Sequence, residues 1–268
     1  MRMNLQVSAQ AQERLLAKLS SMGLPRPAAA ALLERHMLVR YPKGGELFSK
    51  GAPADVAFAV LSGVVKVHGS RPGGDPVLVD LAGPGDLVGY ADFAEAGGER
   101  SQLFEATALT NCCVALFTRN HIAAVLKTLE PEALLRIAEA INSMWSGVAY
   151  RYATFLGMSL RQRLEIVLAE LAERFGVPDA RGTLLLPELA QEELAQMIGS
   201  SRPMVSKLLT EMTEQNLLVR HGRRHILLAA SKSLSVVPMP PAASAPPTGR
   251  VRADRRANRS SAVPTANI

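Results

Sequence analysis

Residues 199–212 read GSSRPMVSKLLTEM. Two cations, Arg202 and Lys207, and three hydroxyls, Ser200, Ser201 and Ser206, fall between positions 200 and 207. A guanidinium forks N–H donors toward paired acceptors, an ammonium supplies a mobile point charge, and short hydroxyls bond phosphate oxygens. That set suits the base edges and phosphates of a nucleic acid, not bond breaking. Val205, Leu208, Leu209 and Met212 fall at i, i+3, i+4 and i+7, one apolar stripe that turns the cations outward. With Ser201 as N-cap, Pro203 occupies the second helical position, where its missing N–H leaves no intrahelical bond unmade. The proline therefore starts this helix.

No other cluster in the chain offers a reaction. His36, His68, His121, His221 and His225 share no catalytic or metal-ligand spacing, and no Walker A, HExxH or GxSxG motif occurs. The stretch GPGDLVG, 83–89, imitates a phosphate loop but lies between strand patterns and lacks GxGxxG spacing before a long helix. Cys112 and Cys113 are adjacent, which disfavours a disulfide and predicts a buried apolar pair in a reducing compartment. We expect no enzyme, no metal and no certain cofactor.

The elements that must hold the cations follow from pattern. Of the 268 residues 48% are hydrophobic, enough for real cores, and no run approaches the length of a membrane-spanning helix. The N-terminus has no secretory pattern, so a cytoplasmic protein is expected. The formal net charge is +6, of which Lys232, Arg250, Arg252, Arg255, Arg256 and Arg259 against Asp254 contribute +5 in segment 231–268. The remainder is nearly neutral. That segment, rich in Pro and Ala with no apolar period, is expected to be a disordered basic tail.

The fold class expected is α+β. Residues 1–38 carry short helical patterns broken at GLPRP, 23–27. Residues 39–128 are rich in short alternating runs separated by Gly and Pro, a small β-roll or barrel. Residues 131–158 form one long helix in which Leu134, Ile137, Ile141, Met144, Val148, Arg151, Phe155 and Met158 step alternately by three and four. This seam, with Leu134, Ile137, Ile141, Met144, Val148 and Phe155 as its apolar members, predicts a dimer; packing on its own barrel is the alternative. Residues 159–230 hold short helices ending in LLVRHGRRHILLA, a hairpin with Arg220, Arg223 and Arg224 near its tip. EELAQMI, 192–198, then Gly199, then the helix of Pro203 make a helix-turn-helix followed by a wing that can meet phosphate.

On the segments RYPKGGELFSKGAPADVAFAVLSGVVKV, GPGDLVGYADFAEAGGERS and LAQEELAQMIGSSRPMVSKLLTEMTEQNLLVRHGRRHILL, the chain resembles the CRP/FNR family of bacterial transcription regulators. The resemblance implies a β-roll sensor (a cyclic-nucleotide-binding-like jelly roll), a central dimerisation helix, and a winged helix-turn-helix reading a palindrome in double-stranded DNA. RNA polymerase is an implied further partner. The candidate DNA contacts are Gln191, Ser200, Ser201, Arg202, Pro203, Ser206, Lys207, Arg220 and Arg223. Arg202 and Lys207 match base-reading positions, whereas Pro203 replaces a glutamate that accepts from cytosine, which puts the family's usual half-site in doubt.

In the sensor, Arg100 and Ser101 match residues that hold a cyclic phosphate, and Gly89 and Tyr90 lie where the ribose is held. Tyr90 replaces a glutamate there, and Val148 and Ala149 replace a Thr–Ser pair near the base. A cyclic nucleotide, another small effector and no effector all stay open. Iron–sulfur sensing is excluded by the missing N-terminal cysteines. The competing function is a ligand-binding regulatory module without DNA-binding activity; the C-terminal half favours DNA.

Overall fold

The computed structural model describes residues 9–70, 73–89, 101–222 and 224–228, and only the backbone of Met144 and Trp145. Tyr90, Arg100, Arg223 and segment 231–268 lie outside the described residues.

Two helices, α1 (Ala9–Ser21) and α2 (Arg26–Glu34), flank the break foreseen at 23–27. Eight strands follow: β1 (Met37–Tyr41), β2 (Glu46–Phe48), β3 (Val56–Ser62), β4 (Val65–Ser70), β5 (Pro76–Ala82), β6 (Leu87–Val88), β7 (Glu105–Ala108) and β8 (Cys112–Thr118). They form two antiparallel four-stranded sheets, ordered β1-β8-β3-β6 and β2-β7-β4-β5. The expected β-roll is thus two facing sheets, not a closed barrel. Phe48, Phe58, Val60, Val65, Val88 and Val114 fill the space between them. Because successive strand residues point to opposite faces, Cys112 enters this core while Cys113 packs against the outer helices; both thiols are free. Burial raises the pKa of the Cys112 thiol, so it behaves as a small apolar residue.

The outer face of the first sheet is covered by α1, α2 and α3 (Arg119–Leu126), with Leu15, Leu19, Ala29 and Leu32 against Leu61 and Phe117. Next comes α4 (Pro131–Leu156), whose 26 residues span about 39 Å. A capping box at Ser159 and Gln162 then opens α5 (Leu160–Phe175). Strands β9 (Val177–Asp179) and β10 (Gly182–Leu184), helices α6 (Gln191–Ile198) and α7 (Arg202–Glu214), and strands β11 (Leu218–His221) and β12 (Arg224–Leu228) complete the order. The last sheet runs β11-β12-β10-β9.

Candidate nucleic-acid interface

The helix-turn-helix forms as its pattern requires. Leu194, Ala195 and Ile198 bury one side of α6, and Val205, Leu208, Leu209 and Met212 bury one side of α7. Gly199 closes α6 in the left-handed conformation, φ 69°, which lets the chain turn at once into the second helix. Pro203 lies in the first turn of α7, as expected. Ser201 sits at the N-cap position with extended backbone, but its hydroxyl makes no capping bond. That hydroxyl is therefore available to another acceptor or donor. Arg202, Pro203, Met204, Lys207 and Thr210 are exposed, while Ser206, Ser200 and Gln191 are half-buried. Arg202 has no ion pair or hydrogen bond to another described residue. Lys207 reaches Glu211 only at 4.0 Å with its side chain 71% exposed, a contact too weak to hold it from DNA.

The back of α7 is anchored to α5. Arg161 donates to Glu165 at 2.7 Å and to Gln215 at 2.6 Å, at the end of the recognition helix. The β11–β12 hairpin projects Arg220 into solvent, its Nε donating to the Gly222 carbonyl at 2.9 Å. Arg224, which starts the returning strand, is exposed too. A wing carrying two described arginines can meet phosphate oxygens. Burial first, and then Arg220, pushes the His225 imidazole below its ordinary pKa of 6.5. The folded state therefore holds this ring neutral. As pH falls through about 6.5 the unfolded chain takes up the proton first, and stability is lost until the lower folded pKa is passed. We expect the melting temperature to drop on acidification below neutral, and His225→Gln to drop less steeply. An identical pH dependence in the variant would contradict this assignment.

Along α4 the long apolar seam divides in two. Ile137 packs into the helical cluster under the first sheet, and Phe155 packs against the cluster that α5 shares with α6 and α7. Arg151 lies over the Phe155 ring at 5.3 Å and pairs with Glu170 at 2.9 Å. These members of the predicted seam are half-buried and make contacts within the chain itself. The free stripe is Leu134, 42% exposed, Val148, 56%, Tyr152, 67%, and Leu156, 66%, with half-buried Ile141 in line. Met144 belongs to the predicted seam, but its side chain is not described.

In the roll, Gly89 and Ser101 bracket the segment that carries Tyr90 and Arg100. Gly89 has φ 76°, and a Cβ there would crowd Phe48 at 3.0 Å and Phe58 at 3.1 Å, so any other residue would be strained. Gln102, 2% exposed, ties the two ends together and to the β2–β3 loop: its Nε2 donates to the Gly89 carbonyl at 3.2 Å and its backbone N–H to the Ala52 carbonyl at 2.8 Å. Sequence reasoning missed Gln102, because a buried amide carries no signature apart from its partners. Ser101 is exposed. Val148 and Ala149, exposed on α4, bring no hydrogen-bonding side chain. Among the described residues, Ser101 alone of the candidate effector positions supplies a polar side chain.

The reader docks on the roll. Val64, Leu78, Leu81 and Leu109 of the roll share one core with Leu164, Leu168, Leu194 and Ile198. Lys66 pairs with Glu193 at 2.9 Å with both side chains largely covered, and Glu193 also accepts from the Ala190 N–H at the start of α6. Arg174 of α5 bridges Asp80 at 2.8 Å and Asp86 at 3.1 Å. The GPGDLVG stretch is thus a structural joint, with Asp86 accepting from the Gly83 N–H.

Two family models match the chain: the cyclic nucleotide-binding domain over residues 38–129 and the Crp-like helix-turn-helix domain over residues 162–235. A CRP-like cAMP-activated global transcriptional regulator of Mycobacterium tuberculosis is 26% identical over 213 residues, 80% of this chain and 93% of the relative. The cAMP-activated global transcriptional regulator CRP of Salmonella typhimurium is 23% identical over 206 residues, 75% of this chain and 95% of the relative. The c-di-GMP responsive global regulator CLP of Xanthomonas campestris has a similar fold, with TM-score 0.62 at 22% identity, covering 76% of this chain and 99% of that one. A domain of the cyclic nucleotide-binding type, a central helix and a winged helix-turn-helix define a class of DNA-binding transcription regulators. The chain belongs to the CRP/FNR family of bacterial transcription regulators.

Proposed function

We propose that this protein is a homodimeric transcription regulator that binds an inverted repeat in double-stranded DNA. One α7 helix per subunit enters each of two successive major grooves, roughly 34 Å apart. The observation that carries this is the outward face of α7: Arg202 and Lys207 are exposed on a helix whose other side is fully buried. Phosphate contacts from Gln191, Ser200, Ser201, Ser206, Arg220 and Arg223 fix the register, and Arg202 and Lys207 read bases. The exposed stripe of α4 seats the partner subunit. The roll acts as a sensor, and because it shares a core with α6, a shift in β4 or β5 moves the reader. A small effector bound at Gly89, Tyr90, Arg100 and Ser101 would exert that shift, and RNA polymerase is the further partner through which activation would run. Selection from random duplexes by the ligand-free protein tests the DNA assignment. An enriched inverted repeat is expected; enrichment of no sequence with or without candidate effectors would overturn it.

The basic segment 231–268 adds non-specific phosphate contacts. Each neutralised phosphate steepens the log–log salt dependence of binding by about 0.9. Deleting 232–268 is expected to flatten that slope and leave the preferred sequence unchanged. An unaltered slope would remove the tail from the interface.

A further inference from the structure

We propose that Pro203 reads the C5-methyl group of a pyrimidine, so that each half-site carries thymine, or equally 5-methylcytosine, where the proline ring meets the groove. This inference rests on the DNA-reading assignment of α7 and specifies which sequence that helix selects. At about 100° per residue, the buried positions Val205, Leu208, Leu209 and Met212 set the inner face of α7. Pro203, Lys207 and Thr210 fall opposite, and all three are exposed. They form the row that goes deepest into a groove.

The chemistry of that row is uneven. Lys207 supplies donors. The Thr210 hydroxyl already donates to the Ser206 carbonyl at 3.0 Å. Pro203 has neither donor nor acceptor on its side chain and no N–H on its backbone. Its ring is rigid and anchored in the first helical turn, so it cannot swing aside as a longer side chain would. Met204 beside it, 39% exposed, extends the apolar surface. A polar base edge placed against this surface would lose its water and gain no partner. The one apolar feature in the major groove is the thymine methyl. Pro203 therefore favours a methylated pyrimidine, and it is indifferent to whether the neighbouring group at C4 is a carbonyl or an amine.

The test uses the full chain and duplexes bearing the inverted repeat it selects. Each half-site pyrimidine is presented in turn as thymine, uracil, cytosine and 5-methylcytosine, and affinity is measured by anisotropy. Burying one methyl changes affinity roughly fourfold. Symmetric removal from both half-sites should then cost about 15-fold at one position per half-site, for uracil against thymine and cytosine against 5-methylcytosine alike. Pro203→Glu should erase the methyl effect there and shift preference toward cytosine, whose N4 amine a carboxylate accepts from. Thermal melting confirms that this exposed position tolerates the change. Equal binding of methylated and unmethylated bases at every position overturns the inference while leaving the DNA assignment intact. So does a methyl effect that survives Pro203→Glu. Failure to select any repeat would overturn both.

Discussion

Replacing Val148 and Tyr152 together by aspartate is expected to leave each subunit folded and to split the dimer. Both side chains are more than half exposed within the chain, 56% and 67%, so their loss opens no cavity in the subunit. One turn apart on α4, they would place two carboxylates per subunit against two more across the symmetry axis. Burying such unpaired like charges costs far more than the apolar contact they replace contributes. The effect on DNA should be larger than any single contact loss. Two linked readers engage the second half-site at high effective concentration, and separating them forfeits roughly 10²–10⁴ in affinity. Sedimentation should show monomers, circular dichroism an unchanged fold, and anisotropy the collapse of binding. A persistent dimer would move the interface off this stripe.

Arg202→Ala is expected to relax specificity at one base pair in each half-site. The guanidinium is exposed and has no partner among the described residues, so removing it should not destabilise α7. A bidentate pair with guanine O6 and N7 discriminates by about 1–3 kcal/mol, and a symmetric dimer loses it twice. The signature is positional: selected sequences become degenerate at that pair, and the salt slope stays as it was. A uniform loss across all sequences, with a slope shallower by about one per phosphate released, would make Arg202 a phosphate contact instead.

What the sequence discloses follows how local the cause is. The α7 stripe, the Gly199 turn and the proline at the helix start are all set by residues within one or two turns, and each was legible. So was the wing, through two apolar runs around a Gly/Arg turn. The capping role of Ser201 was not, because the chain placed a competent hydroxyl at the position without forming the bond. The α4 seam was half legible. Steps of three and four identify apolar residues on a helix, but they do not say which neighbour each one meets. Ile137 and Phe155 satisfy the heptad and also pack on the chain's own cores, while Tyr152 and Leu156, outside the predicted seam, join its members Leu134 and Val148 on the exposed surface. The docking of α6 on the roll was invisible. Lys66 and Glu193 are 127 positions apart, and no periodicity links them. Gln102 shows the same limit within the sensor, where its meaning depends on Gly89 and Ala52 being brought to it.

In the proposed complex two subunits read one inverted repeat at a fixed spacing. The measurement that tests it most directly is binding to the selected repeat against the same repeat with half a helical turn, about 5 base pairs, inserted between its half-sites. The insertion is expected to rotate one half-site to the opposite face of the duplex and to reduce affinity to that of a single half-site. Undiminished binding to the expanded repeat would contradict a rigid dimer held by α4.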